Sequence, residues 1–81
     1  MDGGTLPEMT REEISEPGTY VDIATGALYR VPAGALHKRV SAAIWKETVD
    51  SSQFVQVSKN PHLISLEARI ICAAHDIHFN F

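Results

Sequence analysis

Hydrophobic and polar positions alternate in the stretch TYVDIATGALYRV, residues 19–31, where β-branched and aromatic side chains flank a central glycine. A three-residue loop that ends in glycine commonly closes a β-hairpin, because glycine adopts a positive φ angle without steric cost. The pattern predicts a hairpin that turns at residues 24–26 and pairs Tyr20 with Arg30 on its surface. Its predicted core face consists of Val21, Ile23, Tyr29 and Val31, and its other face of Tyr20, Asp22, Leu28 and Arg30.

A helical period follows Pro32, which ends the second strand because proline has no N–H for the sheet. Apolar residues lie at the spacing i, i+4, i+7 and i+8, which predicts a helix to about residue 46. A competing interpretation makes residues 44–49 a strand that turns at 50–52. On the predicted helix Trp45 lies on the polar side, so it meets a partner, packs beneath the N-terminal segment or lies beyond the helix end. The apolar stripe consists of Leu36, Val40, Ala43 and Ile44.

A further strand and a further helix follow. Residues 53–58, QFVQVS, place Val55 and Val57 on one face, which predicts a strand. Ser65 is predicted to cap a helix that runs to Asp76. Beyond it, apolar and polar residues alternate with a period of two, which predicts a terminal strand. The predicted core stripe of this helix is Leu66, Ile70, Ala73 and Ile77, and the alternating residues are Ile77, His78, Phe79, Asn80 and Phe81.

These elements predict one α+β domain over residues 18–81. We expect a β-hairpin plus one or two further strands in a mostly antiparallel sheet, with two helices packed on one face. Residues 1–17 hold five acidic residues and one basic residue, a net charge of −4. This range is predicted to be an acidic, mobile N-terminal arm, with one helical turn where Thr10 and Glu13 have the spacing of a capping box.

Composition narrows the class of protein. The chain has 81 residues and one cysteine, so no intramolecular disulfide can stabilise it. Its N-terminus lacks the basic and apolar regions of a secretory signal, and no apolar run approaches the ~20 residues of a membrane span. We therefore expect a cytoplasmic protein without membrane contact. No motif of a nucleotide-binding loop, zinc protease or serine hydrolase is present, so we expect neither enzymatic activity nor a cofactor.

One basic cluster, His37, Lys38 and Arg39, is a candidate contact surface. Together with Lys46 as a further cation and Trp45 as a stacking group, it would suit a small nucleic-acid-binding regulator. Residues 18–81 carry a net charge of only +1, however, and affinity for nucleic acid depends mainly on positive charge at the phosphates. The charge therefore disfavours nucleic acid as a partner, and this function is an alternative.

The C-terminal residues Cys72, His75, Asp76 and His78 form a second candidate cluster. At about 100° per residue the first three lie close together on the predicted helix, away from its core stripe. With His62 they would supply enough ligands for zinc, which makes a metal-binding protein a further alternative. The single cysteine does not fit the paired-cysteine pattern of structural zinc sites. We favour a structural interpretation, in which the following strand inserts Phe79 and Phe81 into the core or a dimer seam.

The leading prediction is a small, non-enzymatic protein-interaction module that forms a homodimer or binds another protein. It depends on small size, on the absence of a catalytic motif and on large apolar side chains that a partner would cover. The candidate interaction residues are Trp45, Phe79, Phe81, His37, Lys38 and Arg39.

Overall fold

The computed structural model describes residues 6–36, 44–49 and 51–81, and these ranges form a four-stranded antiparallel sheet with one α-helix. The order across the sheet is β1-β4-β2-β3, which agrees with the predicted α+β class. Two packed helices were predicted, whereas the described ranges contain one α-helix, so this part of the prediction is not matched. The strands are β1 (Glu8–Thr10), β2 (Gly18–Asp22), β3 (Leu28–Val31) and β4 (Gln53–Ser58); the helix is α1 (Ser65–Ala74), and 3-10 turns occupy Arg11–Glu13 and Ala33–Leu36.

The first predicted helix falls mainly on residues 37–43, which lie outside the described ranges. Ile44 has helical conformation and residues 45–47 form a turn, so residues 44–49 do not form the strand of the competing interpretation. The strand predicted at residues 53–58 is confirmed as β4.

Part of the predicted mobile arm belongs to the sheet. Strand β1 pairs antiparallel with β4, and Met9 lies opposite Phe54. The next turn is held by the Glu13 carboxylate, which accepts hydrogen bonds from the Thr10 N–H at 2.7 Å and the Thr10 hydroxyl at 3.2 Å. Ile14 is buried beyond this turn. Apolar anchors in an otherwise acidic stretch therefore attach residues 8–14 to the domain.

The hairpin forms, but its register differs from the prediction by one residue. Tyr20 pairs with Tyr29, where Arg30 was predicted. The Asp22 carboxylate accepts hydrogen bonds from the N–H groups of Ala24, at 2.9 Å, and Thr25, at 3.4 Å. Such a local Asx turn competes with the strand pairing and lengthens the loop to residues 23–26.

Strand β2 is buried on both faces of the sheet, so the prediction of a surface face was wrong. Tyr20 is 1% exposed, because the N-terminal segment and residues 44–45 cover its face. Helix α1 covers the opposite face. The first core cluster is Ile14, Tyr20, Val31, Ala35, Trp45 and Phe54, and the second core cluster is Val21, Val55, Val57, Leu63, Ala68 and Cys72.

Helix α1 presents a different face to the sheet from the one predicted. Ala68 and Cys72 are fully buried, whereas Leu66 and Ile70 of the predicted stripe are 64% and 60% exposed. Small side chains let the helix lie close to the valines of β2 and β4, which explains why this stripe faces inward. The predicted N-cap is also displaced by one residue, because Ile64 occupies the cap position and Ser65 begins the helix.

The helix ends in a left-handed turn, and the predicted terminal strand is absent from the described C-terminal residues. Asp76 has φ 57°, and the N–H groups of Asp76 and Ile77 donate to the carbonyls of Ala73 and Cys72. This is the Schellman pattern of a helix C-terminus. The chain then crosses the hairpin loop, where the Asn80 N–H donates to the Gly26 carbonyl at 2.8 Å. This contact to a loop does not continue as a strand ladder.

Candidate functional site

Trp45 lies in the core and not on a free surface. Its side chain is 7% exposed, and its ring centroid lies 5.2 Å from that of Tyr29 and 5.1 Å from that of Phe54. The Arg11 guanidinium donates to the Trp45 carbonyl at 3.4 Å and to the Thr48 hydroxyl at 2.9 Å. Two of the three alternatives for Trp45 are therefore observed together. Trp45 packs beneath the N-terminal segment, and it lies in the turn after helical Ile44, so the stretch is not helical to its predicted end near residue 46.

The nucleic-acid alternative gains no support from this arrangement. A buried indole offers no free ring face on which a base could stack. The basic cluster His37, Lys38 and Arg39 lies outside the described residues, so its part in this alternative stays a prediction.

The C-terminal cluster is divided by the fold. Cys72 is fully buried in the second core cluster, and burial raises the pKa of its thiol above the ordinary 9.0. A protonated, buried thiol is neither a metal ligand nor a ready nucleophile at neutral pH. Within the described ranges no three histidine, cysteine or acidic side chains lie close enough to hold a metal ion. The described residues thus show no grouped metal ligands, and the metal alternative stays a prediction.

The other members of the cluster line an open groove of about 370 Å³. His75, Asp76 and His78 line it from the end of α1 and the segment that follows, and Glu8 lines it from β1. Sequence reasoning missed Glu8, because the pairing of β1 with β4 that brings it here was not predicted. The apolar residues that line the groove are Leu6, Ile23, Val55 and Ile77.

Phe79 and Phe81 are half-buried and pack within the chain. Their ring centroids lie 5.4 Å apart, and both side chains contact the second core cluster. The Arg69 guanidinium lies 5.3 Å from the centre of the Phe79 ring and donates a hydrogen bond to the Phe81 carbonyl. These contacts attach the C-terminal residues to α1 and leave only part of each ring for a partner.

An apolar surface that was not predicted lies on α1. Leu66 and Ile70 are four residues apart and so lie on one side of the helix, opposite Ala68 and Cys72. We call the exposed residues Leu66, Ile70, Ala73 and Ala74 the outer helix face. The sequence contains a second apolar stripe, Ala68 and Cys72, whose small side chains suit close packing on a sheet. Assigning this stripe to the sheet would have predicted that Leu66 and Ile70 lie on the exposed side.

Two surfaces therefore stand out in the described structure, the polar-rimmed groove and the outer helix face. No helix in the described ranges is long and apolar enough to cross a membrane. Comparisons with protein-family models, with curated protein sequences and with solved structures found no match to the chain.

Proposed function

We propose that the chain is a small, non-enzymatic interaction module that self-associates through the outer helix face. The observation that carries the proposal is that α1 has two apolar sides, of which only one packs on the sheet. Ala68 and Cys72 meet the sheet, while Leu66 and Ile70 remain in water. Large apolar side chains grouped on one exposed face are typical of an interaction surface.

The shape of the outer helix face suits a second helix. Leu66 and Ile70 provide two large side chains one turn apart. Ala73 and Ala74 follow at the next turn, where small side chains allow a neighbouring backbone to come close. A second copy of the chain presents the same surface, and a two-fold pair of such helices places apolar side chains of both copies in contact.

The magnitude of the burial indicates a weak and reversible dimer. Full burial of a leucine or isoleucine side chain contributes about 1.5–3 kcal/mol. Leu66 and Ile70 still expose about three fifths of their surface, so covering each contributes about 1–2 kcal/mol, or about 4–8 kcal/mol for the four side chains of two copies. Lost translational and rotational freedom opposes association by about 4–15 kcal/mol. The four side chains therefore offset only the lower part of this cost. A dimer that is populated at about 1 mM needs a net free energy of about −4 kcal/mol, so contacts around these side chains must contribute as well.

Sedimentation velocity over a concentration series from about 10 µM to about 1 mM, the range of weak affinities, tests the proposal. The wild-type chain is compared with the double variant Leu66→Ser/Ile70→Ser. Val49→Ser is the matched control, because Val49 is also large, apolar and exposed, at 61%, but lies outside the helix.

The proposal predicts that the weight-average sedimentation coefficient of the wild type and of Val49→Ser rises with concentration, while that of the double variant stays at the monomer value. Association that persists unchanged in the double variant would show that another surface mediates it. A wild type that stays monomeric over the whole series would remove self-association as the function of this face.

A further inference from the structure

The groove combines apolar walls with acidic rims. Val55 lines it from β4, Ile23 lines it from the hairpin loop, and Ile77 lines it from the segment after α1. Its polar lining consists of the exposed residues Glu8 and Asp76, which are acidic, and of His75 and His78. None of the described residues that line it is a lysine or an arginine. The groove therefore favours an occupant that has an apolar body and a positive charge.

Lysine and arginine side chains have this composition. Their methylene stems pack against apolar surface while the cationic head stays at the rim, in reach of water and carboxylates. Carboxylates also accept the paired N–H groups of an arginine in a fixed geometry. A volume of about 370 Å³ lies at the lower end of the range of ligand pockets and has room for one long side chain.

We propose that this groove is a docking site for a lysine or arginine side chain of a partner protein. The stem lies along Ile23, Val55 and Ile77, and the cationic head pairs with Glu8 and Asp76 at the rim. This inference goes beyond the proposed self-association, since it uses a different surface and a different chemistry. The two can fail independently.

The backbone conformation of Asp76 allows a substitution that removes its charge without changing the turn. Its backbone is left-handed, with φ 57°, and asparagine tolerates this region almost as well as aspartate does. Asp76→Asn therefore removes the charge and keeps the turn. Glu8→Gln removes the charge of the other carboxylate that lines the groove. Glu67→Gln, at an exposed position on α1, is the matched control for loss of a carboxylate outside the groove.

The test is a titration of the ¹⁵N-labelled full chain with three blocked tripeptides, Gly-X-Gly, followed by amide chemical shifts. X is arginine, citrulline, which has nearly the shape of arginine without its charge, or norleucine, which offers the apolar stem alone. The arginine peptide is expected to shift the amides of Glu8, Ile23 and Ile77 saturably, with a Kd on the order of 1 mM.

The variants and the neutral peptides then decide the matter. The citrulline and norleucine peptides are expected to bind the wild-type chain at least about fivefold more weakly than the arginine peptide does. Glu8→Gln and Asp76→Asn are each expected to weaken binding of the arginine peptide by about two- to fivefold, which is the range for exposed ion pairs. Glu67→Gln is expected to bind like the wild type. Equal shifts from the citrulline peptide, equal losses in Glu67→Gln, or no saturation at about ten times the expected Kd would each overturn the proposal.

Discussion

Replacing Trp45 by alanine tests whether this residue supports the core or serves a partner. The indole is 7% exposed and packs against Tyr29 and Phe54, whose ring centroids lie 5.2 Å and 5.1 Å from its own and 5.6 Å from each other. Its backbone carbonyl also accepts the Arg11 hydrogen bond that attaches the N-terminal segment. The substitution therefore opens a large cavity at the junction of three segments.

The expected loss is large relative to the total stability of the domain. Removal of a buried tryptophan side chain costs about 3–5 kcal/mol. A domain of 81 residues has a free energy of unfolding of about 4–12 kcal/mol, at the usual 0.05–0.15 kcal/mol per residue. Trp45→Ala is thus expected to lose about a quarter or more of the stability. Trp45→Phe keeps an aromatic contact and is expected to cost less than half as much.

Urea unfolding followed by far-ultraviolet circular dichroism measures these changes, since Trp45 is the only tryptophan and its fluorescence disappears with it. Val49→Ala is the control, because Val49 lies in the same segment with its side chain exposed. It is expected to change the free energy of unfolding by less than about 0.5 kcal/mol. If Trp45→Ala loses less than about 1 kcal/mol, as an exposed site does, the core position of Trp45 is refuted.

Three further predictions concern the backbone and the buried acids. Gly26→Ala is expected to cost at least about 1–2 kcal/mol in urea unfolding, because Gly26 has φ 77° and an added Cβ would lie 2.8 Å from the Phe79 backbone; Gly34→Ala, which meets no atom within 4 Å, is the control that should be near neutral. Asp76→Gly is expected to raise stability by up to about 1 kcal/mol, since glycine suits the left-handed helix terminus best, and a loss would contradict the assigned turn. Burial raises the pKa of Tyr20, Tyr29 and Cys72, so as the pH rises these groups lose their protons in the unfolded chain before they do in the folded chain. The urea concentration at the midpoint of unfolding should therefore stay constant up to about pH 9 and decrease above it. A midpoint that increases above about pH 9 would contradict the burial.

The local pattern of the sequence predicted the strands better than their partners. Strand β4 was predicted at its observed bounds, because Val55 and Val57 lie on one face of a short β-branched stretch and Pro61 follows closely. The hairpin was predicted, but its register was not. The reason is the Asp22 side chain, whose hydrogen bonds to the loop N–H groups lengthen the turn by one residue. Periodicity alone does not report such a side-chain contact.

The side of α1 that packs on the sheet could not be predicted from hydrophobicity, because both sides of the helix are apolar. Leu66 and Ile70 form the more hydrophobic stripe, yet Ala68 and Cys72 face the sheet. Close packing on a sheet depends on the sizes of both partners, which a single helix does not reveal. The same limit explains the groove, since Glu8 reaches the C-terminal residues only through the pairing of β1 with β4.

The aromatic alternation at the C-terminus has a similar explanation. Phe79 and Phe81 were predicted to belong to a strand, but their rings pack on each other and the Phe79 ring lies under Arg69. The contact with the hairpin loop is the backbone hydrogen bond from the Asn80 N–H to the Gly26 carbonyl. A period of two places side chains on one side of an extended chain whether or not a ladder forms.

The most direct test of the outer helix face is a filtered nuclear Overhauser experiment on a mixture of ¹³C-labelled and unlabelled chains at about 1 mM, where a weak dimer is populated. Only contacts between copies give signals in this experiment. Self-association through the outer helix face predicts intermolecular signals at the methyl groups of Leu66 and Ile70 and none at Val49. Intermolecular signals at Val49 without signals at Leu66 and Ile70, or no intermolecular signal at all, would contradict it.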